Sequence, residues 1–187
     1  MCYGNVNFNF QVSDQFRHGD GSLLPLWHFR TERTKRKQVT TLCWNPNYPD
    51  LFAVAYGSYD FMRQGSGMVC CFSLKNTSHP EYIFSTESGV TCLDFHQHHQ
   101  SLLAVGCYDG TVMVFDVRSK VNLPIYSSSI RTGKHTDPVW QVHWQVHSYP
   151  PKFCCVECFT INEGVIIQIT VVIINSTIIV RNPGPST

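Results

Sequence analysis

Short runs of Val, Leu, Phe, Tyr and Cys recur along the chain, each ended by Gly, Pro, Asn or Asp. No window of about eleven residues keeps an apolar stripe at i, i+3, i+4 and i+7, so amphipathic helices are not expected. Such runs predict an all-β protein of many short strands. The runs also repeat. Val39-Thr-Thr-Leu-Cys-Trp44 lies 51 residues before Val90-Thr-Cys-Leu-Asp-Phe95, and at that offset Leu51-Phe-Ala-Val54 falls on Leu102-Leu-Ala-Val105. Gly67 to Phe72 matches Gly110 to Phe115 at an offset of 43, so the first copy holds eight extra residues near 59–66, polar and loop-like. A third copy opens at Val139-Trp-Gln-Val-His-Trp144, 49 residues after Val90. A strand-only repeat of this length points to a β-propeller, whose blades run about 40–45 residues.

The second copy predicts one blade. Val90–Phe95 is the inner strand, 96–101 a polar turn and Leu102–Cys107 the second strand. Asp109-Gly110 marks a hairpin, since both residues tolerate positive φ. The third strand, 111–117, is mainly apolar on both faces, as suits a sheet stacked between two others. Residues 124–129 read as an outer edge strand, where Pro124 is tolerated.

Composition narrows the class. Of 187 residues, 43% are hydrophobic and 14% charged, which excludes a disordered chain or a long solvated helix. The net charge of +1 gives no global attraction to nucleic acid or an anionic membrane. Nine cysteines, an odd number, are not preceded by a secretory signal, and five fall within apolar runs. That usage fits a reducing compartment with free, buried thiols, leaving the sequons at Asn76 and Asn175 unused.

Candidate chemistry is sparse. There is no nucleophile elbow, phosphate loop, dinucleotide fingerprint or H-E-x-x-H, so no enzyme is expected. Cys154, Cys155 and Cys158 hold one CxxC, with His147 before it. Zinc needs a second pair, so no metal is expected and the cysteines read as an unselected or buried set. Arg30, Arg33, Lys35, Arg36 and Lys37, with Glu32 among them, form a basic run that reads first as a solvated linker and otherwise as a contact for nucleic acid, acidic tubulin tails or an import receptor. His96, His98 and His99 read as a polar turn. Trp44 and Trp144, on inner strands, are expected in the core. Trp27 and Trp140 are the interface candidates, together with Arg33, Lys35, Arg36 and Lys37. After Gln145 the repeat fades into the Ile- and Val-rich run 161–180. That run could form cross-β, cover an open blade face as extra strands or, less readily at sixteen residues for 165–180, tether the chain to a membrane.

Gly133-Lys-His135, followed by Val139 and Trp144, resembles the Gly-His opening of a WD repeat, and Phe115-Asp116 stands where its Trp-Asp pair would stand. Phe72-Ser73 departs from the pattern. The stretches LLPLWHF (23–29), VTTLCWNPNYPDLFAVAYGSYDF (39–61), SLKN (73–76), PEYIFSTESGVTCLDFH (80–96), LLAVGCYDGTVMVFDV (102–117) and GKHTDPVWQVHWQ (133–145) resemble the first blades of the WD-repeat domain of dynein intermediate chains, most of all the axonemal outer-arm type. The resemblance implies a partial propeller of about two and a half blades. It is laid out as an N-terminal segment and basic linker at 1–37 and blades at 38–87, 88–131 and 133–145, with an unrelated tail at 146–187. It also implies a non-catalytic scaffold without cofactor. Its partners would be a dynein heavy chain and other intermediate and light chains. Contact with microtubules would be indirect, and the location cytoplasm and cytoskeleton, in the axoneme of a cilium or flagellum. The alternatives are a truncated product without motor function of its own and a membrane-tethered fragment. With few blades, the outer blade faces are expected to be bare.

Overall fold

The computed structural model describes residues 26–119, 121–145, 153–162, 165–174 and 177–181. Each predicted run becomes a strand. β1 (Gln38–Trp44), β2 (Leu51–Gly57), β3 (Gly67–Ser73) and β4 (Tyr82–Thr86) pair in chain order as one antiparallel sheet. β5 (Val90–Phe95), β6 (Leu102–Cys107), β7 (Val112–Asp116) and β8 (Tyr126–Ser127) form a second. β9 (Gln141–Gln145), β10 (Phe153–Asn162), β11 (Val165–Ile174) and β12 (Thr177–Arg181) form a third. Successive four-stranded antiparallel meanders are the blades of a propeller. A single 3-10 turn, Glu32–Thr34, precedes β1, capped by the Thr31 side chain.

The third sheet differs from expectation. β9 pairs with β10 from Gln141↔Phe159 to Gln145↔Cys155, and β11 pairs with β10 and β12. The β-branched tail therefore continues the sheet that β9 begins, rather than lying over a face. Its composition suits a pleated strand. The outer strand predicted over 124–129 shrinks to Tyr126–Ser127. The third strand starts one residue late, because the Asp109 carboxylate takes both the backbone N–H (3.1 Å) and the hydroxyl (2.7 Å) of Thr111. Gly110 turns the hairpin at φ 82°, and a Cβ there would stand 2.1 Å from the carbonyl oxygen of His135. No L side chain fits that space.

Alternation along β2 sets the layers. Ala53 and Ala55 point one way, while Phe52, Val54 and Tyr56 point the other. The alanines, with Val69, Cys71 and Phe84, let the second sheet approach with Val90, Leu93, Phe95, Leu103, Val105 and Phe115. Phe84 and Phe115 meet across this layer at 4.6 Å between ring centroids. A second layer joins Cys92, Ala104, Val112, Val114 and Tyr126 to Val139, Val142 and Trp144. Each fully buried Val, Leu or Phe contributes about 1.5–3 kcal/mol, set against the entropy of ordering the chain.

The outward layer of β2 and β3 is not bare, contrary to expectation. Phe29 packs edge-on against Phe52 at 5.0 Å and tilted on Phe72 at 5.4 Å, and the Thr34 side chain bonds Tyr56. The five described cysteines are free. Burial pushes the thiols of Cys43 and Cys107 up to about 12 and that of Cys70 to about 11, so they pack as small apolar groups.

Candidate interaction surfaces

The sheets are joined by polar staples that recur with the sequence repeat. In β1 the register shifts between Val39 and Thr41, and in β5 between Val90 and Cys92, the equivalent place. A bulge re-aims the extra residue, here a threonine each time. Thr40 Oγ1 donates to the carbonyl of Val90 at 2.7 Å. Thr91 Oγ1 donates to the carbonyl of Val139 and lies 3.0 Å from that of Gly106. Further along, Asp94 Oδ2 accepts the backbone N–H of Trp144 at 2.9 Å, and the equivalent Cys43 sulfur accepts that of Phe95. Burial raises the Asp94 carboxyl, opposed by the Trp144 N–H and by His143 at 3.6 Å. Asn45 and Asn47 close the opposite end, donating to Gln100 O (2.7 Å) and Gln97 O (2.9 Å).

One repeat position breaks the pattern and corrects the sequence reading. Trp44 was expected in the core but is 51% exposed, beside Val39 at 46% and Leu42 at 47%. Their counterparts Val90, Leu93 and Phe95, and again Val139, Val142 and Trp144, are no more than 8% exposed. The cause is position in the array. Trp144 buries itself on the sheet before it, donating Nε1–H to Asp94 O at 2.9 Å and lying 4.7 Å from the His96 ring. Trp44 belongs to the first sheet, where segment 26–34 covers β2 and β3, and its one ring contact among the described residues is Phe52 at 4.9 Å.

A second surface lies at the end of the sheets where β1, β5 and β9 begin. The 58–66 insertion is tied to β1: Tyr59 N–H donates to Gln38 Oε1 at 2.6 Å, the Tyr59 hydroxyl donates to Val39 O, and Lys37 Nζ donates to Ser66 O. It then crosses to the other sheets. Phe61 stacks on Tyr108 at 5.9 Å and meets Trp140 edge-on at 6.0 Å. Tyr59, Phe61, Met62 and Trp140 are all exposed.

The structure thus brings Trp140 together with residues that sequence reasoning missed, because the insertion read as polar loop. Trp27 is half exposed and stands apart from this row, in the segment before the 3-10 turn. Arg33, Lys35 and Arg36 are exposed around that turn. Lys35 pairs with Glu32 at 2.6 Å, and Arg33, Arg36 and Lys37 make no ion pair among the described residues. His96 is buried, and its Nδ1 accepts the N–H groups of His98 (2.9 Å) and His99 (3.0 Å), which makes the turn structural. Burial and the neighbouring histidines lower its pKa to about 4. His135, of the Gly-His pair, is lowered to about 4 by burial. An open cleft of about 600 Å³ separates β4 from β7 and β8, but Lys134 on its wall is held by Asp109 at 2.7 Å. Among the described residues no group of three or more His, Cys, Asp or Glu could hold a metal. The side chains of Cys154, Cys155 and Cys158 fall outside the described residues, as does His147. No helix among the described residues is long and apolar enough to cross a membrane, which says nothing of a β-barrel.

Three four-stranded meanders stacked face to face, joined at repeat-equivalent positions, define a WD-repeat protein with a partial β-propeller fold. The family described as WD domain, G-beta repeat matches residues 68–116, a window that opens in β3 of one sheet and closes in β7 of the next. A chain in the crystal structure of the mitotic checkpoint complex superposes with a TM-score of 0.50 at 17% identity, over 72% of this chain and 35% of that one, a likeness of fold alone. Closer relatives give the particular identity. The 78 kDa intermediate chain of the flagellar outer-arm dynein of Chlamydomonas reinhardtii is 62% identical over 147 residues, 76% of this chain and 22% of the relative. Dynein axonemal intermediate chain 1 of Bos taurus is 55% identical over 134 residues, 72% of this chain and 19% of the relative. This chain is a homologue of the axonemal dynein intermediate chains, and spans about a fifth of the length of the curated relatives it matches.

Proposed function

We propose that the chain acts as a non-catalytic scaffold subunit of an axonemal dynein, in the cytoplasm and the axoneme of a cilium or flagellum. In this reading it contributes to arm assembly and microtubule-based motility through contacts with a dynein heavy chain and with other intermediate and light chains. The observation that carries the reading is the 62% identity to an outer-arm intermediate chain over 76% of this chain. The described side chains support contact rather than chemistry: the Cys70, Cys71, Cys92 and Cys107 thiols are buried, Asp109 and Asp94 are engaged in a turn and a staple, and exposed Tyr59, Phe61 and Trp140 gather at one end of the sheets. The test is affinity purification of the tagged full chain from ciliated cells. Recovery of a dynein heavy chain in equimolar amount, in the axonemal fraction, is the expected result. A chain recovered without heavy chain would refute the assignment.

A second reading has its own observation. The exposed Val39, Leu42 and Trp44 stripe is a blade face that lacks the cover its two counterparts have. In this reading the open face competes for the partners of another intermediate chain. Dose-dependent displacement of that chain from dynein preparations by the purified protein distinguishes this reading from the first.

A further inference from the structure

We infer that the row at the hairpin end of the sheets, exposed Phe61, Met62 and Trp140 around the half-buried Tyr108, docks an acidic polypeptide segment that carries apolar anchor side chains. The inference deepens the scaffold reading by giving the chemistry of one contact, and it rests on that reading only for where the partner is found.

The row is held in place rather than loosely presented. The 58–66 loop is fastened by Tyr59 and Lys37 to the start of β1, and Gln64 Nε2 bonds the carbonyls of Ser58 (3.0 Å) and Asp60 (3.1 Å) from within. Asp60 Oδ1 caps the turn by accepting the Met62 N–H at 3.0 Å. This fixed backbone lifts Phe61 onto Tyr108 of the second sheet and Trp140 of the third, while Met62 remains 92% exposed. A loop that only closed a hairpin would have no reason to carry large apolar side chains outward. Clustered exposed apolar groups mark contact surfaces, and aromatic anchors carry most of the energy in such contacts.

Spacing and charge select the occupant. The Phe61 ring lies 5.9 Å from that of Tyr108 and 6.0 Å from that of Trp140. Side chains on one face of an extended chain repeat at about 6.6 Å, so an extended segment can set alternate residues against this row. The surrounding charge is positive. Glu32 is paired with Lys35 and Asp109 with Lys134, while Asp60 caps its own turn and keeps its charge. Glu87 and Asp137 are the other carboxylates at this end, against Arg33, Arg36, Lys37, Arg63 and Arg131, which make no ion pair among the described residues. Carboxylates flanking the anchors of the incoming segment complement that rim.

The experiment is fluorescence anisotropy with the full chain and labelled Glu-rich peptides that carry leucines at alternate positions. Controls are the same peptide without leucines, the same peptide with Lys for Glu, and phosphatidylserine vesicles. The leucine-bearing acidic peptide is expected to bind most tightly, more weakly as salt rises. The double variant Phe61→Ser with Met62→Ser is expected to weaken it about tenfold or more. Arg36→Glu with Arg63→Glu is expected to weaken it and flatten its salt dependence. All four positions are exposed, and far-UV circular dichroism checks that each variant folds. Equal binding of the leucine-free or Lys-rich peptide, unchanged binding by the Phe61 and Met62 variant, or preference for vesicles would overturn the inference. Heavy-chain recovery is scored in parallel. Its loss with peptide binding intact sinks the dynein assignment alone, and the reverse sinks this inference alone.

Discussion

The repeat supplies its own control for what a stacked sheet is worth. Trp44 and Trp144 occupy the same place in two copies, one half exposed and the other 5% exposed. Replacing Trp144 by Ala empties a site in the second layer and leaves Asp94 O without its Nε1–H donor. Truncating a buried aromatic costs about 3–5 kcal/mol, to which the lost hydrogen bond to a part-buried carbonyl adds about 1 kcal/mol. Trp44→Ala removes a ring that touches Phe52 and solvent, which puts its cost at about 1 kcal/mol on the area that is buried. In urea, with a slope of about 2 kcal/mol per molar, the midpoint should fall by about 1.5 M or more for Trp144→Ala and by about 0.5 M for Trp44→Ala. Far-UV circular dichroism is the assay, since tryptophan emission changes with the substitution itself. If Trp144→Ala proves too unstable to purify, Trp144→Phe keeps an aromatic ring but loses the Nε1 bond and part of the indole's packing, for about 2 kcal/mol. Equal midpoints for the two alanine variants would refute the argument that the preceding sheet, and not the residue type, buries this position.

Three further outcomes follow from the same geometry. Thr91→Val keeps the shape but leaves the Val139 carbonyl only the weak Cys92 thiol as a side-chain donor, at 3.5 Å, and should cost about 1 kcal/mol in urea denaturation, whereas Thr41→Val, away from this staple, should be near neutral. Gly110→Ala forces a Cβ onto His135 O at positive φ and should lower the melting temperature by several degrees, about 2 kcal/mol or more, because backbone rather than a flexible side chain must yield. His96 and His135 are depressed from 6.5 to about 4, so the stability they confer is complete above pH 6.5 and is lost as pH falls from 6.5 toward 4. Allowing for residual solvent screening, each ring should cost about 1 kcal/mol by pH 5, and His135→Gln should flatten the melting profile between pH 7 and 5. The raised carboxyl of Asp94 acts in the opposite sense, gaining stability as it takes up a proton at the acid end.

What the residues alone determined was the unit of construction. Alternation and turn chemistry are local, so β2, β3, β5, β6 and the Asp109-Gly110 hairpin could be read directly, and the 51-residue offset overlaid Thr40 on Thr91. The same offset held the staple, for the two threonines sit at the same bulge, yet a repeat match does not say that a hydroxyl reaches the next sheet. Tertiary structure decided everything that depends on which copy a residue belongs to. Trp44 and Trp144 have equal propensity for the core, but burial needs a surface on the other side, and only the later copy has one. The polar composition of 58–66 concealed that its fixed turn would raise Phe61 across two neighbouring sheets, because ring contacts with Tyr108 and Trp140 join positions far apart in sequence. Likewise the Ile- and Val-rich tail carried strand propensity but no register, and β9, through its unpaired edge, supplied the partner that placed it. A chain specifies its strands by patterns a few residues long, while exposure and docking are set by the order in which the sheets stack.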